Sequence, residues 1–78
     1  MLKVILPPLG ENIEQATVSY WYFKIGDKVN ADDDLVELAT DKATFNLPSP
    51  GSGIISELLV SEGDTVKVGD VLAYINEG

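Results

Sequence analysis

Apolar residues along this chain come in short runs: Val4-Ile5-Leu6, Val18 to Phe23, Leu35-Val36, Ile54-Ile55, Leu58 to Val60, Val66 to Val68 and Val71 to Ile75. Turn residues separate them: Gly10-Glu11-Asn12, Gly26-Asp27, Asp32-Asp33-Asp34, Pro48-Ser49-Pro50-Gly51, Gly63-Asp64 and Gly69-Asp70. No window carries a helical period. Turn signals this frequent, flanking β-branched and aromatic runs, predict an all-β sandwich or flattened barrel. The expected inward residues are Val18, Trp21 and Phe23, then Ile55, Leu58 and Val60. Each set contains one step of three positions rather than two, which requires a β-bulge or sharp bend to keep both ends facing the core. Tyr20 and Tyr22 then lean outward, and Trp21 belongs to the core.

An internal repeat orders these runs. Residues 17–39 slid by 37 positions fall on 54–76: Ser19 meets Ser56, Gly26-Asp27 meets Gly63-Asp64, Val29 meets Val66, Asp33 meets Asp70 and Leu35 meets Leu72. A second alignment, offset by 41, places Val4-Ile5-Leu6-Pro7 on Phe45-Asn46-Leu47-Pro48 and Gly10 on Gly51. The repeat predicts two similar four-stranded antiparallel sheets related by an approximate two-fold axis. Asp32 aligns with Gly69, so both are expected to have a left-handed backbone. Between the halves, Thr40 to Ala43 forms a tight turn; lacking Gly and Asn, it is expected to be type I. Its symmetric counterpart is the gap between Gly78 and Met1. The termini are therefore expected at one end and Lys42 at the other.

Composition narrows the chemistry. The chain has 78 residues, enough for one small domain, and five Lys without Arg oppose thirteen acidic residues for a net charge of −8. Nucleic acid and anionic membrane, which need a cationic footprint, are poor partners for it. Cys and His are absent, which removes thiolate catalysis, zinc thiolate sites and the commonest general base. The first residues lack the apolar stretch of a signal peptide or membrane span. The expectation is an acidic, soluble, intracellular domain, free-standing or cut from a longer protein. An independent enzyme is the weakest reading. Asp32-Asp33-Asp34 reads as a solvated turn rather than a cation site, because consecutive carboxylates diverge and the glycine of a calcium loop is missing. Glu11 and Glu14 have nothing nearby that resembles a substrate site.

The run Glu37-Leu38-Ala39-Thr40-Asp41-Lys42-Ala43, followed by Pro48-Ser49-Pro50-Gly51-Ser52-Gly53, resembles the lipoyl domain of the dihydrolipoyl acyltransferases in 2-oxo acid dehydrogenase complexes. The likeness extends over essentially the whole of residues 1–78. Pro8-Leu9-Gly10-Glu11 is similar to the family's first loop; Trp21, Lys24, Gly26-Asp27 and Val29 to its second and third strands. Glu62-Gly63-Asp64 and Gly69-Asp70-Val71-Leu72 resemble their counterparts in the second half. Position 39 is Ala, where relatives often carry an acidic residue.

The resemblance implies that Lys42 bears lipoic acid in amide linkage, placed there by a lipoylating enzyme that reads the turn of Thr40, Asp41 and Ala43. It implies a swinging-arm carrier with no catalysis of its own. A thiamine-dependent 2-oxo acid dehydrogenase loads the arm, an acyltransferase catalytic domain unloads it onto coenzyme A, and a flavin-dependent dihydrolipoyl dehydrogenase reoxidises it. The loop from Leu9 to Gln15, with Leu9, Glu11 and Asn12, is implied to help the dehydrogenase recognise its domain; an ordinary surface loop is the plain alternative. The domain is expected to form the N-terminal part of a multidomain acyltransferase, in the cytoplasm of a bacterium or archaeon or in the mitochondrial matrix after loss of a presequence. Two other readings share the fold. A biotin carrier domain usually places Met on both sides of the lysine, where this chain has Asp41 and Ala43. A lipoyl-like structural hairpin has no reason to keep Asp-Lys-Ala at its apex.

Overall fold

The computed structural model describes residues 1–77. They form eight strands: β1 (Leu2–Ile5), β2 (Gln15–Trp21), β3 (Lys28–Val29), β4 (Asp34–Ala39), β5 (Thr44–Pro48), β6 (Gly53–Leu58), β7 (Thr65–Lys67) and β8 (Val71–Asn76). One four-stranded sheet has the order β1-β8-β6-β3 and the other β5-β4-β2-β7, with every pair antiparallel. Adding four to each strand number, with the count returning to β1 after β8, turns the first order into the second, as a two-fold repeat demands. Each sheet takes two strands from each half, so the halves interleave and neither supplies a complete four-stranded sheet alone.

The turns lock this interleaving. Gly26 N–H donates to the Ile55 carbonyl at 2.8 Å and Ile55 N–H to the Asp27 carbonyl at 2.9 Å. The counterparts 37 positions away are Gly63 N–H to Val18 carbonyl at 2.7 Å and Val18 N–H to Asp64 carbonyl at 2.8 Å. A turn of each half thus caps a strand of the other. Asp32 and Gly69 both have the expected left-handed backbone, with φ of 71° and 95°. Asp tolerates that region and Gly adopts it without a Cβ penalty.

The core lies between the sheets and is made of repeat partners: Val18 with Ile55, Val29 with Val66, Leu35 with Leu72, and Leu38 with Ile75, all buried. Full burial of each such side chain is worth roughly 1.5–3 kcal/mol. The predicted bulges are present: register shifts between Val18 and Tyr20 on β2, and between Ile55 and Glu57 on β6. Of the six expected inward residues, Val18 and Ile55 are fully buried. Trp21, Phe23, Leu58 and Val60 pack at the rim of the core. Trp21 is held there by its indole N–H, which donates to the Val60 carbonyl at 3.1 Å. Tyr20 and Tyr22 are exposed and meet edge to face, their ring centroids 5.1 Å apart.

The second alignment needs correction. Val4 lies opposite Ala73 and Leu47 opposite Val36, and Ala73 and Val36 are themselves related by the 37-residue repeat. Val4 therefore corresponds to Leu47, an offset of 43 rather than 41. Hydrogen bonds agree: Leu6 exchanges bonds with Gly69 and Asp70, while Ser49 exchanges them with Asp32 and Asp33. Gly10 has no counterpart at Gly51. The two offsets, 37 and 43, differ by six, so the connection from β1 to β2 is six residues longer than that from β5 to β6. This extra loop is the main departure from symmetry.

The Asp32-Asp33-Asp34 run is used within the fold. The Asp33 carboxylate accepts from Asn30 N–H at 2.9 Å, that of Asp34 accepts from the Asn46 side chain at 3.2 Å, and Asp32 N–H donates to the Ser49 carbonyl at 2.9 Å.

Candidate functional site

Lys42 stands at the apex of the β4–β5 hairpin, closed by the Ala39–Thr44 pair. Near this pair, Thr17 lies opposite Ala39, and the next residues of β2 pair with β7, ending at Gln15 and Lys67. From Lys67 the chain crosses through Gly69 to the start of β8, at the end of the other sheet where Leu6 follows β1. The Leu2–Ile75 pair lies at that sheet's opposite end. The molecule measures 37 × 20 × 17 Å, with Lys42 toward one pole and the Leu2–Ile75 pair toward the other; the expected position of Gly78 lies outside the described residues.

The four residues Thr40 to Ala43 carry no Gly or Asn, so the primed two-residue turns favoured in hairpins are sterically poor here. The backbone closes with Thr40 N–H donating to the Ala43 carbonyl at 2.8 Å. The Thr40 hydroxyl does the rest. Its Oγ1 accepts from Lys42 N–H at 3.2 Å and from Ala43 N–H at 3.1 Å, and donates to the Ala43 carbonyl at 3.0 Å. The Ala43 amide thus goes to the Thr40 side chain, and neither Asp41 nor Lys42 takes the positive φ that the primed turns require.

This arrangement divides the labour among the predicted turn residues. Thr40, half-buried, shapes the loop. Asp41, Lys42 and Ala43 are exposed. The bonds at the apex hold the Lys42 backbone and leave its amine on a flexible stem in solvent. The exposed amine suits an amide bond to a carboxylic acid, because such a bond removes the charge and needs no partner from the protein.

The long β1–β2 loop lies beside the apex. A shallow open groove separates the two, lined on the loop side by Asn12, Ile13, Glu14 and Gln15 and on the hairpin side by Ala39, Thr40 and Asp41. The structure brings only Asn12 of the three predicted loop residues to this groove. Asn12 takes a left-handed backbone with φ of 67°, and Ile13 N–H donates to the Gly10 carbonyl at 3.3 Å, which together turn the loop. Leu9 is half-buried and packs on the core, anchoring the loop. Glu11 is exposed away from the groove lining. Ile13 falls within the expected recognition loop Leu9 to Gln15 but is not among the three residues named in it, and the offset of 41 makes the insertion four residues rather than six.

Comparison with known proteins agrees with this geometry. The Biotin_lipoyl family model, described as "Biotin-requiring enzyme", matches residues 2–75. The dihydrolipoyllysine-residue succinyltransferase component of the 2-oxoglutarate dehydrogenase complex of Bartonella vinsonii subsp. berkhoffii is 43% identical over 97% of this chain and 18% of its own length. The dihydrolipoyllysine-residue acetyltransferase component of the pyruvate dehydrogenase complex of Corynebacterium glutamicum is 42% identical over 96% of this chain and 11% of its own length. The chain thus spans less than a fifth of the length of these relatives. The solution structure of the lipoyl domain of the 2-oxoglutarate dehydrogenase complex from Azotobacter vinelandii superposes with a TM-score of 0.80 at 33% identity, covering 100% of this chain and 99% of that one. Kluyveromyces lactis urea carboxylase shares the fold, with a TM-score of 0.65 at 21% identity. The chain belongs to the Biotin_lipoyl family, as a lipoyl domain of the kind found in the acyltransferase components of 2-oxo acid dehydrogenase complexes.

Proposed function

We propose that lipoic acid is attached to Nζ of Lys42 and that the domain carries it between the active sites of a 2-oxo acid dehydrogenase complex. The observation that supports this most is positional. Lys42 is the one lysine of five at a hairpin apex, on a backbone fixed by the Thr40 hydroxyl, at the pole opposite the Leu2–Ile75 pair. When bound, the dithiolane would supply the acyl-carrying and redox chemistry that a chain without Cys or His lacks.

The protein's own part is presentation. Rigid strands hold the apex clear of the domain body, so a modifying enzyme and several later active sites can each reach one amine without unfolding anything. Tethering through the far pole converts encounters with those sites into intramolecular ones and raises the local concentration of the arm. The partners under this reading are the lipoylating enzyme, the thiamine-dependent dehydrogenase, the acyltransferase catalytic domain and the flavin-dependent dehydrogenase. The domain would form part of a longer acyltransferase chain, working in the cytoplasm or in the mitochondrial matrix.

A biotin carrier shares the family and the fold, and one experiment separates the two. The protein is incubated with a lipoate ligase and lipoate, and in parallel with a biotin ligase and biotin, then weighed intact. One lipoyl group on the wild type, none on Lys42→Ala and no biotin on either is the expected result. Biotinylation of Lys42, or lipoylation of another lysine, would overturn the assignment.

A further inference from the structure

We infer that Thr40 is a positioning residue for the modification of Lys42: its hydroxyl, rather than the Asp41 carboxylate, sets the backbone from which the lysine projects. The inference rests on the attachment reading above and extends it to a residue two positions away.

A hydroxyl has one proton to give and two lone pairs to accept with, and Thr40 uses all three inside the apex. It accepts from the amides of Lys42 and Ala43, at 3.2 and 3.1 Å, and donates to the Ala43 carbonyl at 3.0 Å. Side-chain oxygens of Ser and Thr commonly take over turn bonds in this way. Here the effect falls on the reactive residue. The Lys42 amide is tied two residues back, which fixes the direction of its Cα–Cβ bond and so the origin of the amine's reach. Asp41 makes none of these bonds. Its carboxylate is exposed at the edge of the groove beside the long loop, where an enzyme can read it.

The site is exposed, and that separates positioning from stability. If the hydroxyl is lost, water replaces it at the Lys42 and Ala43 amides, while the closing bond from Thr40 N–H to the Ala43 carbonyl and the Ala39–Thr44 pair remain. The hairpin persists with a looser tip. A modifying enzyme must align the amine with an activated carboxyl group, and displacement by an ångström is enough to cost one or two orders of magnitude in rate.

The test compares wild type, Thr40→Val and Thr40→Ser. Valine keeps the β-branched shape and removes the hydroxyl; serine keeps the hydroxyl. Lipoylation rates are followed by intact mass with lipoate ligase at varied domain concentration, alongside thermal melting and amide exchange at Lys42 and Ala43. The expected result is a drop in kcat/KM of about tenfold or more for Thr40→Val. Its melting temperature should stay within a few degrees, and exchange should quicken at those two amides only. Thr40→Ser should recover most of the rate and the slow exchange. Wild-type rates in Thr40→Val, or equal defects in both variants, would overturn the positioning role alone. Failure of the wild type to be modified at Lys42 would overturn the attachment reading and this role with it.

Discussion

The carboxylates of Asp27 and Asp64 perform the same task 37 positions apart: each accepts a hydrogen bond from the amide three residues earlier, Lys24 and Ser61, both at 2.8 Å. The main chain reciprocates, since Asp27 N–H and Asp64 N–H donate back to the carbonyls of Lys24 and Ser61 at 3.0 Å. Each turn is closed from both sides before it caps a strand of the other half. Replacing either Asp by Ala should cost about 1 kcal/mol, the usual worth of a turn bond to a charged acceptor at an exposed site. The two turns share no partner, so the double variant should lose about the sum. Asn, which keeps an acceptor, should lose less than Ala. Urea denaturation followed by circular dichroism measures all of this; a double variant as stable as wild type would show the carboxylates to be ornamental.

Leu35 and Leu72 occupy equivalent core positions, both with no exposed surface. Leu to Ala at such a site costs about 2–5 kcal/mol, the lost transfer energy plus the cavity left behind. A domain of this length has only about 4–12 kcal/mol in total. Each single variant should therefore melt well below wild type, and the double variant should be unfolded at room temperature. Cooperative melting of the double variant near the wild-type temperature would contradict a core shared by the two sheets.

Gly53 starts β6 against the end of β8, and a Cβ there would run into the Asn76 carbonyl and approach Ile75 Cγ2 to 2.7 Å. Its counterpart in the first half is Ala16, buried and tolerated. The difference lies in the neighbours, not in backbone dihedrals, since Gly53 is not among the residues with positive φ. Gly53→Ala should cost about 1–3 kcal/mol through forced backbone shifts. Amide chemical shifts should move along β8 and leave the Lys42 hairpin untouched. A neutral substitution would mean that the β6–β8 approach is looser than the structure has it.

These residues also show what the sequence makes legible. The bulges could be read because the spacing from Val18 to Trp21 and from Ile55 to Leu58 breaks a period of two, which only an extra residue repairs. The pole bearing Lys42 could be read because the repeat pairs its turn with the chain ends. The register of β1 against its counterpart could not. A slip of two residues keeps every side chain on its own face, so offsets of 41 and 43 satisfy the apolar pattern equally, and only the partners across the sheet decide. The slip makes the insertion four residues instead of six, while the loop from Leu9 to Gln15 that lines the groove is legible from the resemblance. The role of Thr40 was hidden for a different reason. A hydroxyl's bonds depend on where the backbone amides point, and the order of residues around Asp41-Lys42-Ala43 does not show that direction.

The insertion gives a last prediction. In the second half the chain passes from Ser49 to Gly53 through three residues, Pro50-Gly51-Ser52, whereas the first half uses the nine residues from Pro7 to Gln15 between Leu6 and Ala16. Grafting Pro-Gly-Ser in place of Pro7 to Gln15 should leave a folded domain, because the symmetric half spans the same gap with that segment. It removes the partial burial of Leu9 and Ile13 and the bond from Val68 N–H to the Glu14 carbonyl, and should cost about 1–3 kcal/mol. The apex should be unaffected, since its bonds come from Thr40 and Ala43 and none comes from the loop. Lipoylation of Lys42 should therefore proceed at close to the wild-type rate, while turnover by a thiamine-dependent 2-oxo acid dehydrogenase should fall, because the wall of the groove facing Asp41 is gone. If both rates fall together, the loop shapes the hairpin and the independence of the apex is wrong. If neither falls, Leu9, Glu11 and Asn12 take no part in recognition, and the partner reads the hairpin alone.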